Sequence, residues 1–208
     1  MDRIRVFTGG IIPCNGYLVQ TGPNSFIAID APEGFANWIK SKRPDVVISD
    51  LFITHQHFDH IIDAAAMKAT FGCKIHAFAP YSPDLTLADM AAKDWNIDLD
   101  IAPFDVDHLI TESGIHEIGD ILWDVRPVPG HSTDSLVFCA PDLEFLFSGD
   151  TLFADSIGRT DFPGGNGKQL LLGIKQKIMT FPPTTTIFPG HGPYTSLRNE
   201  QLTNPYLS

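Results

Sequence analysis

Residues 54–60 read Thr54-His55-Gln56-His57-Phe58-Asp59-His60 and set four potential metal ligands within six positions, directly behind an apolar, strand-like run at 51–54. Imidazole nitrogens and carboxylate oxygens are the ligands that zinc and similar ions take. Continued as a regular strand, the run would show His55, His57 and Asp59 on one face and turn His60 away. It therefore reads as a turn that leaves a strand and enters a helix at Ile61, where neighbouring side chains converge from different directions. The chain has 8 histidines in 208 residues. A solvated polar loop has no reason to collect three of them beside an aspartate.

Three segments further along share a simpler pattern. Val128-Pro129-Gly130-His131, Phe147-Ser148-Gly149-Asp150 and Phe188-Pro189-Gly190-His191 each follow an apolar run with glycine and then one ligand-type residue. Glycine lets the backbone turn sharply at a strand end, and sites in α/β sheets gather at such ends. A lone Gly-His is most often a turn; four strand ends offering donors together are a site. The inventory is His55, His57, Asp59, His60, His131, Asp150 and His191. Seven ligands exceed the four of one tetrahedral ion; two ions sharing Asp150 use them all. His76, His108 and His116 fall outside the pattern and read as ordinary core or surface residues.

The rest of the chain fits an α/β protein. Short runs rich in Ile, Val, Leu and Phe predict strands over 4–7, 17–20, 26–30, 51–54, 74–78, 121–128, 136–140, 144–148 and 186–189. Helices are expected over 35–42, 61–71, 85–95 and 169–179, the last with Leu170, Leu171, Ile174 and Ile178 on one face. Strands interleaved with helices define the α/β class. No linker or low-complexity tract divides the chain, so one domain over 1–208 is expected. Residues 94–110 carry several acids and no clean period, which suggests an insertion or a loop over the site. Residues 198–208 read as a polar terminal extension.

Composition narrows the function. Hydrophobic residues make up 43% and charged residues 19%, a soluble globular balance. No apolar run approaches a membrane span, so no membrane partner is expected. Met1-Asp2-Arg3-Ile4-Arg5 leads straight into a strand without an apolar leader, which gives a cytoplasmic expectation. A net charge of −11 repels phosphate backbones, so a small molecule rather than nucleic acid is the expected partner. Cys14, Cys73 and Cys139 are odd in number and far apart, which argues against a disulfide framework or a zinc ribbon. Cys73 and Cys139 read as buried apolar residues, while Cys14 sits in a Pro13-Cys14-Asn15-Gly16 turn that could lie near a site.

On these residues the chain resembles the metallo-β-lactamase fold superfamily: Asp30 after an early strand, the His-x-His-x-Asp-His run at 55–60, then His131, Asp150 and His191 in the family's order. The resemblance covers nearly the whole chain. It implies a four-layer αββα sandwich of two mixed β-sheets in two similar halves, with metals at one edge of the sheets. Ser148-Gly149-Asp150-Thr151-Leu152-Phe153, Gly158-Arg159-Thr160-Asp161-Phe162-Pro163-Gly164-Gly165 and Pro189-Gly190-His191-Gly192-Pro193 look like the glyoxalase II group, nearest its short bacterial single-domain members. The resemblance assigns one metal to His55, His57 and His131 and a second to Asp59, His60 and His191. Asp150 and a hydroxide would bridge them, making Asp59 and Asp150 the catalytic carboxylates. Zinc is the expected ion, with iron or manganese fitting the same ligands.

The activity so implied is hydrolysis of a thioester, hydroxyacylglutathione-like, or of a related ester. The alternatives on this fold are a mononuclear iron persulfide dioxygenase, which shares Gly158–Phe162 in kind, an RNA or phosphodiester hydrolase, and a non-catalytic metal-binding protein. Glyoxalase II carries a C-terminal helical domain that holds glutathione, and this chain ends about 17 residues after His191, so that grip is not expected here. Secreted β-lactamases of the fold have a cysteine at the position of Asp150, so antibiotic hydrolysis is not the expected role. Around the metals, Asp30 is expected to orient an imidazole, with Thr54 and Ser132 as weaker candidates. Arg159 either binds an anionic substrate group or braces its loop on Asp161, the latter preferred. Asn15 and Tyr194 are further candidates for the site.

Overall fold

The computed structural model describes residues 3–207. The expectation of one domain meets a chain that divides into two compact units, Met1–Leu109 and Ile110–Ser208.

The first unit is one mixed sheet with helices. Strands β1 (Ile4–Gly9), β2 (Cys14–Gln20), β3 (Ser25–Ile29), β4 (Val47–Phe52), β5 (Lys74–Ala77) and β6 (His108–Leu109) stand in that order. β1 to β3 form an antiparallel meander, and β3 to β6 run parallel. Parallel neighbours need crossovers. Helix α1 (Phe35–Lys42) makes the first, α2 (Phe58–Ile61) and α3 (Ala64–Phe71) the second, and α4 (Ala88–Trp95) the third. β2 is buried along nearly all its length, as a strand paired on both sides and covered on both faces must be. Helix α1 buries Phe35, Ala36 and Ile39, which join Phe26, Ile48, Leu51, Ile53, Ile61 and Met67 in this unit's apolar core.

The second unit is a sheet in the order β14 (Thr195–Ser196), β13 (Thr186–Pro189), β10 (Phe145–Gly149), β9 (Leu136–Ala140), β8 (Ile121–Pro127), β7 (Gly114–Ile118). Only β10 and β13 pair in parallel. Between them lie a small hairpin of β11 (Leu152–Phe153) and β12 (Ser156–Ile157), helix α5 (Gly167–Gly173) and a π-helical turn at Ile174–Ile178. β8 alternates strictly, burying Ile121, Trp123, Val125 and Pro127. Its solvent face carries Asp124 and Arg126, and Arg126 lies 4.0 Å over the Phe181 ring. Leu170, Ile174 and Ile178 are spaced by four residues and enter the core with Val128, Val137, Leu146 and Ile187.

Several expected elements move. The helix expected over 61–71 begins instead at Phe58 and breaks at residues 62–63, where Asp63 turns its carboxylate to the Ala36 amide, 3.0 Å. The helix expected over 85–95 starts only at Ala88, because Leu87 sits in the left-handed region at φ 62°. Cys14 belongs to β2 rather than to a turn. Of residues 94–110, the first two end α4 and the rest stay irregular except for β6.

The largest correction concerns 198–208, where the expected polar extension is a docked helix, α6 (Leu197–Thr203). Glu200 within it is fully buried. One carboxylate oxygen accepts from Thr195 Oγ1 (2.6 Å) and Asn199 Nδ2 (3.1 Å). The other accepts from the Asp155 amide and Asn204 Nδ2, each 2.8 Å. A buried carboxylate persists only when so satisfied, and the network ties α6 to the tip of the β11–β12 hairpin.

Candidate metal centre

In the first unit the chain leaves β4 at Phe52, runs irregularly through 53–57 and enters α2 with His57 as its N-cap residue. Two long-range backbone bonds fix this path: the Phe58 amide donates to Thr86 (2.9 Å) and the Ala31 amide to the His60 carbonyl (2.7 Å). Gln56 points away from its histidine neighbours. It holds the 79–82 segment, donating to the carbonyls of Ala79 and Pro80 and accepting from the Ser82 amide.

Asp30 organises the imidazoles. It ends β3 in the left-handed region, φ 56°, a conformation aspartate tolerates better than most residues. One of its oxygens accepts from the Thr54 amide, 2.8 Å. The other accepts from Thr54 Oγ1 (2.8 Å) and His60 Nδ1 (2.7 Å). With its hydroxyl proton given to Asp30, Thr54 Oγ1 is left to accept from His55 Nδ1, 3.1 Å. Both rings thereby carry their lone pair on Nε2, the form in which imidazole ligates. His55 Nε2 lies 3.0 Å from His57 Nδ1, and His60 Nε2 lies 3.7 Å from Asp59 Oδ2. Cys14 Sγ joins the second pair: it, an Asp59 oxygen and a His60 nitrogen lie within 4.8 Å of one another. Burial pushes the Cys14 thiol up to about 12. Asn15, also buried, accepts from Thr8 Oγ1, 2.8 Å.

In the second unit three strand ends converge. Gly130 adopts φ 140°, and a Cβ there would meet the Leu170 amide nitrogen at 2.5 Å, so the approach of α5 requires glycine. His131 follows and gives its Nδ1 proton to the Arg159 carbonyl, 2.8 Å. Gly149 turns the end of β10 with φ 50°, and its carbonyl accepts from the Gly190 amide, 2.9 Å. That bond brings the ends of β10 and β13 together and with them Asp150 and His191. Gly190 itself is not left-handed; Gly192 is, at φ 74°, so the sharp turn falls after His191. Asp150 Oδ2 lies 3.5 Å from His131 Nε2 and 3.5 Å from His191 Nε2.

These separations suit a cation. At metal–nitrogen bonds of about 2.0–2.1 Å, tetrahedral ligands stand roughly 3.3 Å apart. The 3.0 Å between His55 and His57 and the paired 3.5 Å about Asp150 sit on either side of that value.

The remaining candidates are placed as follows. Arg159 grips Asp161 with two bonds of 2.7 and 2.6 Å, stacks 4.0 Å over Phe162 and holds the Asp161 carboxyl down at about 2. Its carbonyl, not its guanidinium, reaches His131. Tyr194 is exposed, its ring 6.2 Å from Phe188. Ser132 donates to Asp134. His76 is buried against Asp50, 2.8 Å. The turn around Cys14 offers the sequence a residue that could lie near a site; its place beside Asp59 and His60 follows from the β2 ladder, which no local pattern reports. No helix among the described residues is long and apolar enough to cross a membrane.

Histidines on carboxylate and carbonyl partners, facing further carboxylates, are the hallmark of a metal-dependent hydrolase. The sequence profile of the Metallo-beta-lactamase superfamily matches residues 10–191, and the chain belongs to that superfamily. Probable metallo-hydrolase YqgX of Bacillus subtilis is 31% identical over 96% of this chain and 94% of its own length. Hydroxyacylglutathione hydrolase GloC of Haemophilus influenzae is 30% identical over 79% and 78%. Among solved structures, the BLEG-1 B3 metallo-beta-lactamase superposes with TM-score 0.89 at 31% identity, covering 99% of both chains. TTHA1623 in a di-iron-bound form gives 0.84 at 31%, covering 98% of this chain and all of the other. The fold is thus that of the superfamily, α/β with two mixed sheets flanked by helices, and it implies divalent metal binding.

The Asp30 arrangement makes a first prediction. Asp30→Asn keeps the left-handed backbone and the volume but loses an acceptor for Thr54 or His60. Affinity for a divalent cation should fall by about 10–100-fold, read by competition with a chromophoric chelator. A change under about threefold would remove Asp30 from that role.

Proposed function

We propose that this protein is a binuclear metallohydrolase that cleaves thioesters of the hydroxyacylglutathione kind. In this reading His55, His57 and His131 hold one divalent cation, Asp59, His60 and His191 hold the second, and Asp150 is shared. One observation carries it: a single Asp150 oxygen stands equally far, 3.5 Å, from His131 and from His191, a member of each ligand set. A bridging carboxylate needs that placement.

When bound, two divalent cations lower the pKa of water from about 15.7 toward about 7 and polarise an acyl carbonyl. The chain supplies the rest. Asp30, Thr54 and the Arg159 carbonyl keep the Nδ1 protons of His60, His55 and His131 in place, so each Nε2 presents a lone pair. Asp59 is a ligand and orients the attacking water through its carboxylate. Phe153 and Phe162, with ring centroids 6.3 Å from those of His191 and His131, set aromatic edges beside those imidazoles. No serine or cysteine nucleophile is required. The net charge of −11 favours a small substrate over a nucleic acid. The His/Asp donors favour Zn²⁺, with iron and manganese as the competing ions. The likeness to the Haemophilus hydroxyacylglutathione hydrolase supports the thioester, and the likeness to the BLEG-1 lactamase favours β-lactam hydrolysis as a second reading.

The test is chelation followed by return of Zn²⁺, Fe²⁺ or Mn²⁺ singly, with S-lactoylglutathione and a chromogenic β-lactam assayed side by side. Thioester turnover should vanish with the metal and return with it. Full activity in metal-free protein would overturn the hydrolytic centre, and faster β-lactam than thioester turnover would favour the second reading.

A further inference from the structure

Cys14 stands apart from the other two cysteines. Cys73 and Cys139 lie in the apolar cores of their units. Cys14 is fully buried too, yet its sulfur has polar neighbours, the Asp59 carboxylate and the His60 imidazole. It is the first residue of β2, where the ladder pairs it with Gly9 and so fixes its position along the strand. Its sulfur lies within 4.8 Å of donor atoms of both Asp59 and His60. Zinc–sulfur bonds run about 2.3 Å and zinc–nitrogen bonds about 2.0–2.1 Å, so tetrahedral donors sharing an ion stand roughly 3.6 Å apart. A cation seated here draws the group together by up to about 1 Å, within reach of side-chain rotation.

We propose that Cys14 is a sulfur ligand to the cation held by Asp59 and His60, and that this position therefore prefers a thiophilic ion. The proposal rests on the binuclear reading above. On binding, the thiol gives its proton to solvent and the sulfur lone pair forms the metal bond. A thiolate raises selectivity for Zn²⁺, Co²⁺ or Fe²⁺ over Mn²⁺ and Mg²⁺, which oxygen donors suit better. The two cation positions of the chain then differ in kind, one all-nitrogen and carboxylate, the other with sulfur.

The experiment is anaerobic loading of metal-free protein with Co²⁺, followed by near-ultraviolet absorption. The second equivalent should bring a sulfur-to-cobalt charge-transfer band in the wild type that is missing in Cys14→Ser. In that variant Zn²⁺ affinity at the weaker position should fall by about tenfold or more, with Mn²⁺ affinity little changed. Two equivalents bound without the band, or a band that survives the substitution, overturn the proposal and leave the binuclear reading intact. No cobalt uptake by the wild type overturns both. Should Cys14→Ser not fold, X-ray absorption at the cobalt edge of the wild type decides, a sulfur neighbour supporting the ligand and nitrogen and oxygen alone rejecting it.

Discussion

Replacing Asp150 by alanine should cut kcat/KM for a thioester by about 10³ or more and lower the metal retained per chain. The estimate follows from the carboxylate's position between His131 and His191. Electrostatic support from a metal centre contributes several kcal/mol, and each 1.36 kcal/mol is about tenfold in rate. The side chain is nearly buried, yet its loss removes no apolar packing, so the metal-free variant should melt close to the metal-free wild type. Elemental analysis, steady-state kinetics and a thermal melt separate these effects. A variant within tenfold of the wild type, with full metal content, would show that Asp150 is not shared.

The second large effect is expected at a residue with no side chain. A Cβ at Gly158 would stand 1.9 Å from the Asp150 carbonyl oxygen and 3.1 Å from His131 Cβ. Real Cβ atoms do not approach backbone so closely, so Gly158→Ala must push the strand containing Ser156 and Ile157 off the Asp150 backbone by about 1 Å. Overpacking costs about 1–3 kcal/mol, more where backbone must move. We expect at least about 3 kcal/mol, a fall in Tm of roughly 6–12 °C at 2–4 °C per kcal/mol. Metal affinity should drop with it, because Asp150 and His131 are both displaced. Gly72→Ala is the control. Unlike Gly158 it sits at positive φ, 67°, but nothing lies within 4 Å of its Cβ position, so only the left-handed backbone cost of about 1–2 kcal/mol applies. Equal melting shifts in the two variants would sink the steric account.

Much of this was legible in the sequence wherever chemistry is local. The candidate donors at 54–60, 128–131, 147–150 and 188–191 were visible because donor residues after apolar runs have few other uses. Strand Leu136–Ala140 and strand Thr186–Pro189 coincide with their expected ranges, being short, largely apolar runs. What was hidden depends on distant partners. Asp59 and His60 lie on a helix from Phe58 because residue 86 accepts the Phe58 amide, which no periodicity reports. β7 was missed since it is an edge strand with Ile115 largely exposed, so its alternation carries little apolar contrast. The stretch after residue 197 looked like a tail because its key residues, Glu200 and Asn204, are polar; their burial is intelligible only with Asp155 and Thr195 in view. Gly190 misled in the opposite sense, since proximity to a ligand suggested a turn that Gly192 makes.

That last helix has a practical corollary. A reporter or affinity handle joined directly to residue 204 would compete for the amide nitrogen that Asn204 lends to Glu200, and the hairpin carrying Phe153 beside His191 would lose its anchor. Protein engineers should therefore treat residues 195–207 as a keystone, attach any fusion through a spacer beyond it, and expect proteolytic trimming there to register first at His191.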